Sequence, residues 1–395
     1  MHNAHASNHN PRIARGFSLV ELLVVIAIIA LLAGLLLPAL AGARRAGKKS
    51  ATQNMMNSFT NAVSSFSNDN GSRMPGYFSP YEMGLRSNED QGMSAMENVM
   101  LELGGTDVIV GSYADYSSEV NRSTSDTDGG IISIAPFSNS DDRAVVANTK
   151  LIGASGAYFA PDSNFLKVMR EEENQQITSR NNGQHLMPDV VDSFGNPLLV
   201  WVKDETARGS INPDGDDPDL YGQFASVNSD GNGDYEGPAW FYLASNNCFY
   251  GNDATAIGEG GNNQSAISAL SAYRSDGNTA VDAEDRVKTL ATLLGSPSYY
   301  GLPTGEVLDD STDVHDIFPI RPRGNLVAQS AGADGYFLGT SDTGWGANAD
   351  TDGGEYHIGF GLNFKNESER FKDEDGKYIT FDIISDFDDI IQSVN

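Results

Sequence analysis

The pattern of apolar and polar positions divides this chain sharply. Leu22–Leu40 is a run of 19 uncharged, mostly apolar residues. As a helix it spans about 28 Å, close to the roughly 30 Å hydrocarbon thickness of a bilayer. Beyond it the pattern becomes periodic. Met55, Phe59, Ala62 with Val63, and Phe66 recur at helical spacing with polar residues between them, as on a helix with one buried face. A single helix is therefore predicted from Phe17 to about Asn70, where Asn70-Gly71 and then Pro75 supply stop signals. It measures roughly 80 Å.

From Gly71 onward the apolar residues come in short runs. Ile131–Pro136, Ala157–Ala160, Leu198–Lys203, Ala239–Ala244, Asn325–Gln329, Tyr356–Phe360 and Tyr378–Ile384 read as strands between Gly, Asn, Asp and Ser turns. Helical patches are fewer: Ser163–Gln176, opening at Asp162/Ser163; Gln264–Arg274; and Asp282–Leu294, with Asp282 as N-cap. No internal repeat is evident. The pattern predicts an α+β fold: a long N-terminal helix packed on an antiparallel β-sheet body with long, loop-rich insertions.

Charge sharpens the division. The chain has 395 residues, 25 of them Lys or Arg and 54 Asp or Glu, for a net charge of −29. Residues 1–49 hold six basic side chains (Arg12, Arg15, Arg44, Arg45, Lys48, Lys49) and one acid, Glu21, so the remainder holds 19 basic and 53 acidic residues, net −34. That excess of carboxylates excludes a protein that coats nucleic acid, which needs clustered Lys and Arg. Cys248 is the one cysteine, so there is no intrachain disulfide and no C-x-x-C site. Gly supplies 42 residues, roughly 11% against an average near 7%, which fits a loop-rich body.

The apolar run admits three readings. A core helix has no need of such uniform greasiness in a body this polar. A secretory signal peptide would use Arg12 and Arg15 as its charged region and Ala39-Leu40-Ala41 as its cleavage site. A retained membrane helix is the third, and Glu21 favours it: a carboxylate at the head of the run is costly unless it has a partner, and a disposable signal has no use for it. The amphipathic continuation also argues for retention.

Gly16-Phe17-Ser18-Leu19-Val20-Glu21, followed by Leu22-Leu23-Val24-Val25-Ile26-Ala27-Ile28-Ile29, resembles the class III leader and N-terminal helix of type IV pilins and type II secretion pseudopilins. The resemblance implies cleavage between Gly16 and Phe17 by a prepilin peptidase on the cytoplasmic side, with N-methylation of Phe17. It implies that Glu21 matches the family's acidic residue five positions into the mature chain and Pro38 its helix-kinking proline. The residues suit those roles. Gly16 gives a protease room at the scissile bond. Glu21 can pair with the Phe17 amine of an adjacent subunit, so that its charge is neutralised only on assembly. Pro38 and Gly34 weaken the helix around them. The implied organisation is a cytoplasmic leader (1–16), a transmembrane helical half (17–42), an amphipathic half (43–70) and an acidic extracytoplasmic α+β domain (71–395). The implied partners are the prepilin peptidase, other pilins or pseudopilins and the inner membrane, and the protein would end in a periplasmic or cell-surface filament. Counting basic residues beside the run favours the opposite orientation; the leader motif outweighs that count and leaves Arg44, Arg45, Lys48 and Lys49 at the outer membrane surface.

Two further stretches extend the resemblance. Asp192-Ser193-Phe194-Gly195-Asn196-Pro197, leading into Leu198-Leu199-Val200-Trp201, is similar to a turn-then-strand segment of major pseudopilins. Gln329-Ser330-Ala331-Gly332-Ala333-Asp334-Gly335, with Gly339-Thr340 and Asp342, is similar to their C-terminal strand and acidic loop, which often binds calcium. A typical major pseudopilin is far shorter, so a minor, tip or adhesive position is indicated.

Asp334, Asp342, Asp350 and Asp352 lie on one Gly-rich stretch, and calcium takes six to eight oxygens on flexible loops. They are the candidate metal ligands. Asp230-Gly231-Asn232-Gly233-Asp234 begins like an EF-hand, but Tyr235 stands where Gly is needed and Phe241 where Glu is needed, so a turn is the simpler reading; Asp214-Gly215-Asp216-Asp217 is similar. No G-x-S-x-G, P-loop or H-E-x-x-H is present. His185, His315 and His357 are scattered, Cys248 and Trp240-Phe241-Tyr242 suit a core, and the pairs Asp309/Asp310 and Asp388/Asp389 mimic glycosidase carboxylates only in composition. The chain is expected not to be an enzyme. The alternative is a membrane-anchored binding protein, or a carbohydrate-active enzyme, displayed through a pilin-type leader.

Overall fold

The computed structural model describes residues 19–77, 94–106, 109–112, 131–134, 143–148, 151–153, 155–167, 187–204, 223–225, 228–229, 235–236, 241–243, 292–302, 307–309, 312, 317–339, 342, 360–364 and 372–395. The chain divides into two compact units, Met1–Lys48 and Lys49–Asn395.

Helix α1 (Leu19–Asp69) is continuous over 51 residues with Pro38 inside it. Its boundaries lie close to those predicted. In the first unit its apolar side chains are exposed on all sides, Leu22, Ile26, Ile29, Leu32, Leu36 and Leu40 among them, and the helix is long and apolar enough to cross a membrane.

In the second unit the helix becomes one-sided, because its apolar residues return every three or four positions. Thr52, Met55, Met56, Phe59, Ala62, Val63 and Phe66 are buried; Gln53, Asn54, Asn57, Ser58, Asn61 and Ser65 are exposed. Thr52 is the polar exception, and its hydroxyl accepts the Ser193 N–H at 3.1 Å. The helix ends at Gly71, whose φ of +68° favours a residue without a β-carbon, and the Ser72 N–H returns to the Ser67 carbonyl at 2.8 Å. Just beyond, the Arg73 guanidinium lies 4.9 Å from the Phe66 ring centre and forks onto Glu102 at 2.7 and 2.6 Å.

Helix α2 (Ala95–Leu103) escaped the periodicity reading. Its sequence signal is a capping box: the Glu97 N–H donates to the Ser94 hydroxyl and the Ser94 N–H to the Glu97 carboxylate. Nearly all its residues are buried.

The main sheet holds β1 (Leu199–Asp204), β2 (Gln223–Ala225), β3 (Phe241–Leu243), β4 (Leu326–Ser330) and β5 (Ile390–Val394) in the order β5-β4-β1-β3-β2, antiparallel throughout. Leu326 stands opposite both Val202 and Val394, and Gln329 opposite Leu199 and Ile391. Alternation then sends Val200, Leu326 and Ala328 into one core with the α1 stripe and α2. Leu199, Trp201, Val327 and Gln329 are buried outside that core, so both faces of the sheet centre are covered. A second, three-stranded sheet joins Ile109–Ser112 and Ile131–Ile134 to a central Arg143–Asn148.

The α+β prediction holds, with local corrections. Ala157–Ala160 forms no strand; Tyr158 and Phe159 instead pack edge-on against Phe66 and Phe59, with ring centres 5.3 and 5.4 Å apart. The start of the helix expected over Ser163–Gln176 is instead one 3-10 turn, Ser163–Phe165, followed by Leu166–Lys167 paired with Asp189–Val190; residues 168–176 lie outside the described residues. Tyr378 makes only an isolated bridge to Lys372, and Ile383–Asp386 is a 3-10 turn rather than strand. Phe360 opens another such turn, Phe360–Phe364. β5 was not predicted. Gln264–Arg274, the start of Asp282–Leu294 and residues 356–359 lie outside the described residues.

Candidate functional site

The two stretches singled out in the body meet. Asp192 Oδ1 accepts the N–H groups of Phe194, Gly195 and Asn196 at 2.8, 2.8 and 2.9 Å, winding the Asp-Ser-Phe-Gly-Asn-Pro segment into a tight turn at the head of β1. Its Oδ2 accepts the Ser330 hydroxyl at 2.8 Å, and the Asn196 amide donates to the Gly332 carbonyl at 3.1 Å. The first motif is thus fastened to the second across more than a hundred residues. Burial pushes the Asp192 carboxyl up, and these hydrogen bonds oppose that shift.

The loop after β4 turns at Gly332, φ +70°, where a β-carbon would fall 2.5 Å from the Asp388 carbonyl oxygen. Asp388 Oδ2 accepts the Ala333 and Asp334 N–H groups at 2.9 and 3.2 Å, and Asp342 Oδ2 accepts the Asp388 N–H at 3.3 Å. Carboxylate oxygens of Asp334, Asp342 and Asp388 consequently lie within 4.8 Å of one another, all half-buried. Burial, then repulsion from Asp334 and Asp388, pushes the Asp342 carboxyl up to about 7.

Beside this cluster Asp389 is wholly buried and accepts from the Gln329 amide at 2.7 Å and the Leu338 N–H at 3.0 Å. Burial raises its carboxyl well above the ordinary range. Leu338 has φ +49°, a left-handed conformation unusual for a branched side chain, and its N–H is the one Asp389 holds. The Asp388/Asp389 pair therefore braces the loop after β4.

Of the candidate metal ligands, Asp334 and Asp342 lie together, while Asp350 and Asp352 lie outside the described residues. Sequence reasoning missed Asp388 as their companion; its signal was a paired acid directly before the terminal apolar run. Asp230–Asp234, Asp214–Asp217, Cys248, His185, His315 and His357 also lie outside the described residues.

At the other end, Glu21 occupies the first turn of α1, where the helix dipole favours a negative charge. It stands beside exposed Leu22 and Val25, and no other acid follows before Asp69. Pro38 sits within the exposed apolar length. Gly16 and Phe17 precede the described residues.

Residues 11–37 match the family model of the prokaryotic N-terminal methylation motif. The chain carries a prepilin-type leader. The matched segment contains Gly16, Phe17 and Glu21 and reaches to the residue before Pro38. Such a motif supports processing by a prepilin peptidase into a pilin-like subunit, and with the apolar helix it supports anchoring in a membrane through the N-terminus. No curated protein and no solved structure matches the chain.

Proposed function

We propose that this protein is a structural subunit of a type IV pilus-like filament, nearest in kind to the pseudopilins of type II secretion. In this reading prepilin peptidase cuts between Gly16 and Phe17, Phe17 is N-methylated, and the chain waits in the inner membrane before joining a periplasmic or cell-surface filament with other pilins. The carrying observation is α1. It begins beside the leader motif, exposes its apolar first half entirely and gives the stripe of its second half to the body. An apolar shaft of that size has to be covered, first by lipid and then by neighbouring shafts. The role is structural rather than catalytic, and the long insertions favour a minor or atypical position.

Glu21 supplies the assembly logic. Its carboxylate enters the apolar layer at least cost when it meets a cation there, and the Phe17 amine of a neighbour is the group the reading assigns. Glu21→Ala and Glu21→Gln should both be cleaved normally yet be lost from the sheared filament fraction, because charge rather than shape is satisfied. Normal incorporation of both variants would refute the role. Absence of any filament, with the body displayed normally at the cell surface, would favour an anchored binding protein.

The same reading gives the acidic loop a cation. Three carboxylates converging on one point, one of them pushed up to about 7, have a donor set that fits a divalent metal. All donors are oxygens on loop segments, which suits calcium better than a softer transition metal. Asp334, Asp342 and Asp388 would hold it. Its charge would relieve their repulsion and fasten the loop after β4 to the entry of β5.

A further inference from the structure

The apolar stripe of α1 fixes which face of the helix meets the body, but not its position along the axis. Burial of apolar surface is non-directional, and Met55 and Met56 in the stripe are adaptable side chains that repack against shifted neighbours. Thr52 is different. It is wholly buried, and its hydroxyl accepts the Ser193 N–H at 3.1 Å. A helix displaced by one turn along its axis could not make that directional contact. A buried polar group can set register in this way at some cost in stability.

Ser193 does not hold its place alone. It belongs to the turn wound on Asp192, whose carboxylate accepts the Phe194, Gly195 and Asn196 N–H groups and the Ser330 hydroxyl. The same Ser330 hydroxyl accepts the Gly332 N–H at 3.2 Å, and the Asn196 amide donates to the Gly332 carbonyl at 3.1 Å. Gly332 lies in the loop after β4, whose Ala333 and Asp334 N–H groups are drawn onto Asp388. Thr52, Asp192 and Ser330 are all buried. Buried polar groups in one network hold each other's geometry, because each loses heavily when its partner moves. A continuous set of contacts therefore runs from the entry of β5, through the loop and the turn, to the buried face of α1.

We propose that the Asp192 turn is a register clamp: it carries the state of the loop after β4 to the seat of α1, so that drawing the loop onto Asp388 locks the Ser193 N–H on Thr52. Asp334, Asp342 and Asp388 would close the clamp on binding a cation, by fastening that loop. This trigger rests on the cation reading given above, whereas the coupling stands on the protein's own hydrogen bonds. A clamped helix presents one fixed surface to a neighbouring subunit, and a sliding helix does not.

The test follows amide hydrogen exchange residue by residue in the processed protein in detergent micelles, first with chelator and then with calcium. Each rate is divided by that of the Val327 amide in β4, so that a change in global stability cancels and local loosening remains. In chelator, Ser330→Ala should speed the Ser193 amide about three- to tenfold, the effect of losing one hydrogen bond, and Asn196→Ala should act in the same direction. Coupling is reciprocal, so Thr52→Val on the helix should speed the Ala333 and Asp334 amides of the loop, while Thr52→Ser, which keeps the hydroxyl, should not. Calcium should slow both Ser193 and Ala333 in the wild-type protein, but in Ser330→Ala it should slow Ala333 and leave Ser193 unmoved. The coupling is overturned by a Ser193 ratio unchanged in both Ser330→Ala and Asn196→Ala, or by loop amides untouched in Thr52→Val. Calcium that slows Ser193 equally in the wild type and in Ser330→Ala overturns it as well. Calcium that leaves Ala333 and Asp334 unmoved in the wild type would instead refute the cation as trigger, with the coupling decided by the results in chelator.

Discussion

Replacing Asp192 with Ala removes one acceptor from four donors at once: three turn N–H groups and the Ser330 hydroxyl. Hydrogen bonds to a charged group contribute about 1.5 to 3 kcal/mol when buried, and less when water reaches the donors. The turn is only partly buried. The carboxylate also bears a desolvation cost of its own, visible in its raised pKa. Together these place the loss at about 2 to 4 kcal/mol, a large share of the 5 to 15 kcal/mol typical of a folded domain. Asp192→Asn keeps a carbonyl oxygen for the turn and a group that Ser330 can face, so it should cost only about 1 kcal/mol. Urea unfolding of the processed protein in detergent micelles, followed by tryptophan fluorescence, measures both; Trp201, wholly buried in β1, reports on the sheet. A cost below about 1 kcal/mol for Asp192→Ala, or equal costs for the two variants, would refute the claim that this carboxylate fastens the two motifs.

Two predictions concern the acidic cluster. Calcium should raise the melting temperature of the protein more than magnesium does, by the equivalent of about 2.7 kcal/mol at a hundredfold excess over its dissociation constant, and Asp334→Ala, Asp342→Ala or Asp388→Ala should abolish the gain; equal, small shifts with both metals would mean diffuse screening only. In chelator, stability should fall as pH rises. The folded-state pKa of Asp342, about 7, lies above its ordinary value, so the folded form binds the proton more tightly. That stability is fully present below about pH 4 and lost as pH rises through about 7. Because the side chain is half-exposed, solvent screening reduces the swing to about 1 to 2 kcal/mol. Urea midpoints between pH 4 and 8 should show it, and Asp342→Asn should flatten the curve; an unchanged slope in that variant would contradict the assignment.

What was legible in the sequence was whatever depends on near neighbours. α1 could be read because a 19-residue apolar run and a stripe at Met55, Phe59, Ala62 and Phe66 are local patterns. β1 and β4 were legible for the same reason, each being a compact apolar run beside a Gly turn. What failed depended on distant partners. Tyr378–Ile384 has strand-like composition, yet Asp382 caps the Ile383–Asp386 turn and is gripped by Arg323, whose guanidinium also donates to the Leu293 carbonyl at 2.7 Å. The chain is held there in a turn, and pairing with β4 begins only at Ile390. Asp388 escaped notice among the metal candidates because it reaches Asp334 and Asp342 from about fifty residues away, beyond any spacing rule. Ala157–Ala160 misled because aromatic residues that cover a helix look like residues that fill a sheet.

Mass spectrometry of the mature N-terminus, on protein isolated from the cell membrane, tests the central claim most directly. The account predicts a chain that begins at Phe17 and carries one added methyl group on its α-amine, with Leu22–Leu40 retained. A mature protein that begins at Gly42, after a cut behind Ala39-Leu40-Ala41, would show that the apolar run is a discarded secretory signal and would contradict the pilin-like reading.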